Sequence, residues 1–261
     1  MANVCDTYSV GIKRSLQNYW AAWLPSTQFE LGDVGTLKGA LFTKVTTLTE
    51  LGITFTPKTD HSSTPLELVS ESGVSYAIKA KGEANDAFPS IPQASAGVKI
   101  DFAAEGAFVV QCPATYEPEI DEPLALGRKI KEAASNGVWN RKWYVITRII
   151  KAPVATVFVA NSSSAGLEAS ASADLSDLCD IGKASVGFAV KSSHGDIMKM
   201  IAAEHLTPFF QLSQLKTRYF SAPEFETTMG LTVADAPASR VVRKAVDSFE
   251  LVTDDEIAVG D

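Results

Sequence analysis

From residue 66 to residue 111 the hydrophobic pattern of the chain runs with a period of two. Val74, Tyr76, Ile78 and Ala80 alternate with Ser75, Ala77, Lys79 and Lys81. After a Pro-rich loop, Phe88 to Pro92, residues Val98, Ile100, Phe102 and Ala104 alternate with Lys99, Asp101, Ala103 and Glu105. Successive side chains of a strand point to opposite faces, so such segments fold as strands with one face buried and the other wet. Half-wet strands belong to antiparallel sheets, whereas buried parallel strands read as continuous apolar runs. Gly106 reads as a bulge, after which Ala107 to Gln111 continues the strand.

Other segments fill in the class. Ile12, Leu16, Tyr19, Trp20 and Trp23 recur at helical spacing, which predicts a helix over 6–24 that Pro25 ends. A second helix is expected over 121–137, capped by Asp121, with Pro123 in its first turn and Asn136-Gly137 as its stop. Gly32 to Gly35 reads as a turn, and Leu41 to Phe55 as two short strands around Glu50-Leu51-Gly52. Trp143 to Ile150 carries the strongest β signal, and Val154 to Ala160 resumes it as a hairpin or strand pair. Residues 161–173 alternate small apolar and small polar side chains. Asp174 to Ile181 is expected as a short helix, Ala184 to Ser192 as a strand, and Ile197 to Glu204 as either. The fold class is α+β: a twisted, mainly antiparallel sheet with three or four surrounding helices and a short C-terminal tail.

The chain of 261 residues is long for one domain and short for two. Its net charge is −8, which argues against a nucleic-acid partner, because phosphate binding needs clustered Lys and Arg. The charge is unevenly placed. Residues 221–261 carry nine acids against three bases, so the tail holds −6 and residues 1–220 only −2. The expected division is therefore an α+β domain over 1–220 and an acidic C-terminal segment over 221–261, in which Ser239 caps a helix bearing Val242, Ala245, Val246 and Phe249. Three scattered cysteines make neither a disulfide framework nor a zinc site. With no secretory leader in the first residues, the expected compartment is the cytoplasm.

Catalytic patterns do not emerge. His61, His194 and His205 stand apart from each other and from Cys at any ligand spacing, so no metal is expected. The glycines of 32–39 match no phosphate-binding motif, and no Gly-x-Ser-x-Gly elbow occurs. Glu117, Glu119, Asp121 and Glu122 cluster around Pro118 and Pro123 as a solvated loop. The chain thus reads as a non-enzyme without a cofactor. A site dispersed through the fold stays open as an enzymatic alternative, since triads are defined in space.

The order of elements in the second half resembles the N-terminal domains of gasdermins, which form membrane pores by zipping extended hairpins into a large barrel. The residues that carry the resemblance are the strand Val74 to Lys81, the long strand 98–111 and the helix 122–137. Lys142-Trp143-Tyr144-Val145-Ile146-Thr147-Arg148-Ile149-Ile150 and Leu206-Thr207-Pro208-Phe209-Phe210 complete it. The resemblance implies a pore-forming effector of cell death or defence, silent as a monomer under its C-terminal segment. It implies an activating protease, membrane lipid and further copies of the chain as partners, with movement to the inner face of the cell membrane on activation. By position it makes Cys5 a candidate for lipidation and the acidic tail a candidate lock. Arg240, Arg243 and Lys244 are the basic points at which a trypsin-like protease would cut that lock. Val98, Ile100, Phe102, Val157, Val159 and Leu167 are the candidate membrane-inserting residues, since a lipid barrel needs strands apolar on one face and polar on the other. A non-catalytic binding or scaffold module, its tail contacting a partner, is the alternative. Exposure of the Trp20–Trp23 stripe beside the Gly-rich turns would favour it.

Overall fold

The computed structural model describes residues 4–173, 175–176, 181, 188–201, 206–220 and 244–251. The first half begins with helix α1 (Val4–Ser15), followed by strands β1 (Trp20–Ala21), β2 (Asp33–Lys38), β3 (Leu41–Thr47) and β4 (Pro57–Lys58). Strands β5 (Thr64–Val69), β6 (Val74–Lys79), β7 (Ala96–Phe102), β8 (Phe108–Thr115) and β9 (Glu119–Ile120) lead to helix α2 (Pro123–Ser135). Then come β10 (Tyr144–Ala152), β11 (Thr156–Ala160), β12 (Ala165–Ala171), β13 (Ala189–His194), β14 (Ile197–Ile201), β15 (Leu206–Phe220) and β16 (Lys244–Leu251).

These strands form three sheets, and every strand pairing is antiparallel. Sheet A runs β1-β15-β10-β2-β3, with β16 added to β15 and with β9 joining β10 to β4. Sheet B runs β14-β11-β8-β5, and sheet C runs β13-β12-β7-β6. Sheets B and C stack face to face. Val98, Ile100, Phe102 and Leu167 from sheet C meet Val109 and Phe158 from sheet B in one dry core. The outer face of sheet B is covered as well, because Phe108, Val110, Val157 and Val159 pack under Tyr8 and Ile12 of α1 and against Phe209 at the end of sheet A. Strands β8 and β11 are consequently buried on both faces over 108–110 and 157–160, which explains the apolar runs there. Helix α2 lays Leu126 and Ile130 on one face of sheet A beside Val34 and Val145, while Trp20, Phe29, Phe42 and Phe210 fill the other.

The α+β class and its antiparallel pairing match the sequence reading, with five corrections. Two helices occur among the described residues instead of three or four. The first ends at Ser15, not at residue 24: Asn18 takes a positive φ of 65°, and Trp20 and Ala21 then pair with Phe210 and Phe209 as strand. The aromatic stripe is thus split between a helix and a strand, and Trp20 is buried, so no exposed tryptophan face forms. Of the helix expected over 239–249, residues 244–251 are strand, held by an eight-residue ladder from Ser213↔Leu251 to Phe220↔Lys244. The expected helix 174–181 lies mostly outside the described residues, as do His205 and Cys179. Helix α2 matches its prediction closely: Gly137 follows at φ 73° and its amide bonds the Ala134 carbonyl. Its N-cap, however, is Glu122, with no side-chain cap bond. Trp143–Ile150 and Val154–Ala160 do not pair with each other; β10 lies in sheet A and β11 in sheet B.

Candidate functional site

The stretch predicted as one strand over 98–111 is two strands on opposite sides of the sandwich. β7 belongs to sheet C, and after residues 103–107 the chain crosses the core into sheet B as β8. The same crossing occurs between β5 and β6, β11 and β12, and β13 and β14. Each crossing is an arch, in which the two strands stack instead of hydrogen bonding. Within sheet C, β6 pairs with β7 and β12 with β13. The sandwich is therefore two long hairpins, each folded in half: one with legs 64–79 and 96–115, the other with legs 156–171 and 189–201.

The seam between the two hairpins keeps a single register across the fold. In sheet C, Ala96 faces Ala171 and Phe102 faces Ala165. In sheet B, Phe108 faces Val159 and Gln111 faces Thr156. Residues 103–107 on one leg thus stand against 160–164 on the other with no residue gained or lost. Backbone bonds bridge even the bend, from Gly106 N–H to the Ala160 carbonyl at 2.7 Å and from Ala160 N–H to the Ala107 carbonyl at 2.8 Å. The outer pairings are out of step, by two residues between the β5/β6 and β7/β8 legs and by three between the β11/β12 and β13/β14 legs.

The arches also change which side chains point inward. On the second leg the inner core takes Val98, Ile100 and Phe102 before the bend but Val109 after it, while Phe108, Val110 and Cys112 turn outward to α1 and sheet A. On the third leg Val157 and Val159 face the outer layer, and Leu167 and Ala169 face the inner core. Leu66 and Leu68 against Val74 and Ile78, and Met198 and Met200 against Val190, follow the same rule. Period two restores the missing order. On a straight leg Val98, Ile100, Phe102, Ala104, Phe108 and Val110 share one face, and Lys99, Asp101, Ala103, Glu105 and Gln111 share the other. Paired across the seam, Val157, Val159, Ala165 and Leu167 join the apolar face, while Thr156, Ser162, Ser164 and Glu168 join the polar one. Val109 and Phe158 are the large apolar exceptions on the polar side, and Asn161 and Ser163 are the polar exceptions on the apolar side.

The six candidate membrane-inserting residues are all buried in the folded chain, four in the inner core and two, Val157 and Val159, in the outer layer. The polar side of sheet C is covered by the first hairpin's tip. Lys79, expected on a wet face, is buried and donates to the carbonyls of Pro92 at 3.0 Å and Ser95 at 2.9 Å. The Ser90 N–H bonds the buried Glu168 carboxylate at 3.2 Å. Helix α1 presses on the bend: the Tyr8 ring meets Phe108 edge-on at 5.3 Å, and Gly106 lies directly under Thr7.

Cys5 lies in the first turn of α1 with a buried side chain; burial pushes its thiol up, the Asp6 charge adds to this, and a hydrogen bond with Ser9 opposes it. Arg240 and Arg243 lie outside the described residues, and Lys244 opens β16. The acidic loop is no free solvated cluster. Glu119 pairs with Lys58 at 2.8 Å and with Arg148, and Glu117 accepts the Tyr19 hydroxyl at 3.1 Å. Sequence reasoning missed this clasp because its basic partners come from strands remote in the chain.

Among the described residues no group of His, Cys, Asp and Glu is arranged to hold a metal, and no helix is long and apolar enough to cross a membrane. One apolar cleft of about 400 Å³ opens between Leu31, Phe55, Pro57, Pro118 and Ile149, with the Lys151–Glu30 pair, 2.7 Å apart, at its wall.

No known family model and no curated protein matches the chain. Among solved structures it has a distant likeness to the gasdermin A3 membrane pore seen by cryo-electron microscopy, with 12% identity and a TM-score of 0.35 over 88% of this chain and 98% of that one.

Proposed function

We propose that this chain is a pore-forming effector whose two folded hairpins straighten into membrane-spanning strands. The observation that carries the reading is the face exchange at the arches together with the unbroken seam. Straightening would gather apolar side chains from two separate cores onto one face, and the seam would need no slip in register. A spanning strand needs about 9–11 residues, so the legs are long enough. In water the straight form is strongly disfavoured. Burying a large apolar side chain stabilises by roughly 1.5–3 kcal/mol, so exposing Val98, Ile100, Phe102 and Leu167 alone costs on the order of 10 kcal/mol, comparable to the whole stability of a domain. Lipid offers the same side chains an apolar surrounding, and paired strands of a closed barrel satisfy their backbone groups there.

In this reading the C-terminal segment is the lock. Strand β16 occupies the edge of β15 over Ser213–Phe220, and the link before it carries Arg240 and Arg243. A protease cut there would free β16, leave an unpaired strand edge for another copy of the chain, and remove acidic residues that repel anionic lipid. The silent protein would be a cytoplasmic monomer, and the cut form would assemble on the inner face of the membrane. Cys5 is the proposed acylation point, which requires the first turn of α1 to lift from the core.

Dye release from liposomes tests this. Protein cut between 221 and 244 should release dye and intact protein should not. If no cut form releases dye while remaining folded and monomeric, the alternative of a binding module gains, with the cleft beside Lys151 as its ligand site.

A further inference from the structure

We infer that Gln111 and Thr156 form a buried polar pair that weakens the folded sandwich and favours the straightened hairpins; this deepens the pore reading and rests on it. The two residues face each other at the end of the seam in sheet B. Both are fully buried, and among the described residues neither the Gln111 amide oxygen, the Gln111 amide nitrogen nor the Thr156 hydroxyl has a hydrogen-bond partner. Their side chains lie two residues from Val109 and Phe158, on the face that packs in the inner core. Buried side-chain polar groups are nearly always paired, and leaving one unpaired costs the full desolvation of that group. Here three such atoms meet on two adjacent strands.

A purely soluble sandwich would be more stable with Leu and Val at these positions. The polar pair gains meaning from the face it occupies. On the straight legs Gln111 and Thr156 fall on the side shared by Lys99, Asp101, Glu105 and Glu168, which in a lipid barrel faces the aqueous lumen. Water there would satisfy all three atoms. The same two residues thus penalise the folded form and favour the straight one, while the apolar side chains around them hold the fold closed in water. The ladder row Glu67-Gln111-Thr156-Ile201 shows that the pair sits in the middle of sheet B, away from its edges.

The test is Gln111→Leu with Thr156→Val in the full chain, and Thr156→Val alone as the near-isosteric variant that removes only the hydroxyl. Thermal melting of the uncut protein is read beside dye release from anionic liposomes by the cut protein. The expected result is a melting temperature raised by a few degrees, about 2–4 °C for each unpaired group relieved, with dye release slowed by about tenfold. An unchanged or lower melting temperature for Thr156→Val overturns the inference, since it means that the pair carries no penalty in the fold. A raised melting temperature with dye release as fast as wild type also overturns it, because the penalty then has no bearing on opening. If cut wild-type protein itself releases no dye, the pore reading fails; that result is separate from the melting shift, which still decides whether the pair strains the sandwich.

Discussion

Gly106 illustrates how one residue can hold a bend. Its φ of 78° lies in the left-handed region, and Thr7 of α1 occupies the place where a Cβ would stand. An alanine there costs roughly 1–2 kcal/mol in backbone strain before any clash is counted, whereas an extended strand accepts alanine without strain. Gly106→Ala should therefore lower the melting temperature of the intact protein and speed dye release by the cut form; a variant that melts lower yet releases dye more slowly would show that the bend is not what opens. Glu119 sets a second residue-scale expectation. The hydrogen bond from Lys58, then that from Arg148, hold its carboxyl below the usual carboxylate range. Because the folded value lies below the unfolded one of about 4.3, the stabilisation is complete above that pH and is lost as pH falls through the lower folded value. Melting temperature should fall on acidification below about pH 4, and Glu119→Gln should melt lower at neutral pH and show a flatter acid limb, by about 0.2–1 kcal/mol for pairs this exposed.

Among the elements, β16 and α1 matter most. The β15–β16 ladder spans eight residues, the whole of β16, so each N–H and C=O of that edge that pairs here would otherwise face water or another strand. Deleting 244–261 should leave α2 and sheets B and C folded, lower the melting temperature, and shift the protein from monomer to larger assemblies in light scattering. A deletion that stays monomeric and melts like the full chain would show that β16 neither stabilises nor caps the edge. Helix α1 plays a different part. Through Tyr8 and Ile12 it buries the outer face of sheet B, where Phe108, Val110 and Val157 would otherwise be wet. It therefore covers one half of the apolar face that straightening would gather.

At the scale of the whole molecule the fold resolves a conflict. The two central legs, 96–115 and 156–171, carry enough apolar residues for long amphipathic strands, and strands of that length leave a wide apolar face in water. Folding these two legs at their middle hides that face in two layers, one between sheets B and C and one between sheet B and α1 with sheet A. The arrangement keeps the seam pairs Phe102↔Ala165 and Phe108↔Val159 in one register, so the bend changes burial without changing pairing. The whole-molecule prediction is the one made for dye release: cutting the tail, not unfolding the chain, should turn a silent protein into a permeabilising one.

The sequence by itself determined the local character of this protein. Period two over Val74–Lys79 and Val98–Phe102 fixed strands with antiparallel partners, and Pro123 with Asn136-Gly137 fixed α2, because these are effects of neighbours within a few residues. It also selected the residues of the candidate site, since alternation from Val98 to Val110 is visible without knowing where the chain bends. Only tertiary structure decided the arches. Residues 103–107 carry no break stronger than Gly106, and what bends them is α1 pressing from one side and a second sheet to pack on from the other. The same holds for Trp20, drawn from a helical stripe into a strand by Phe210, and for 244–251, whose helical spacing gives way to the unpaired edge of β15. In each case a partner distant in sequence supplied hydrogen bonds or buried area that local propensity does not contain, and long-range pairing outweighs preferences of at most about 1 kcal/mol per residue.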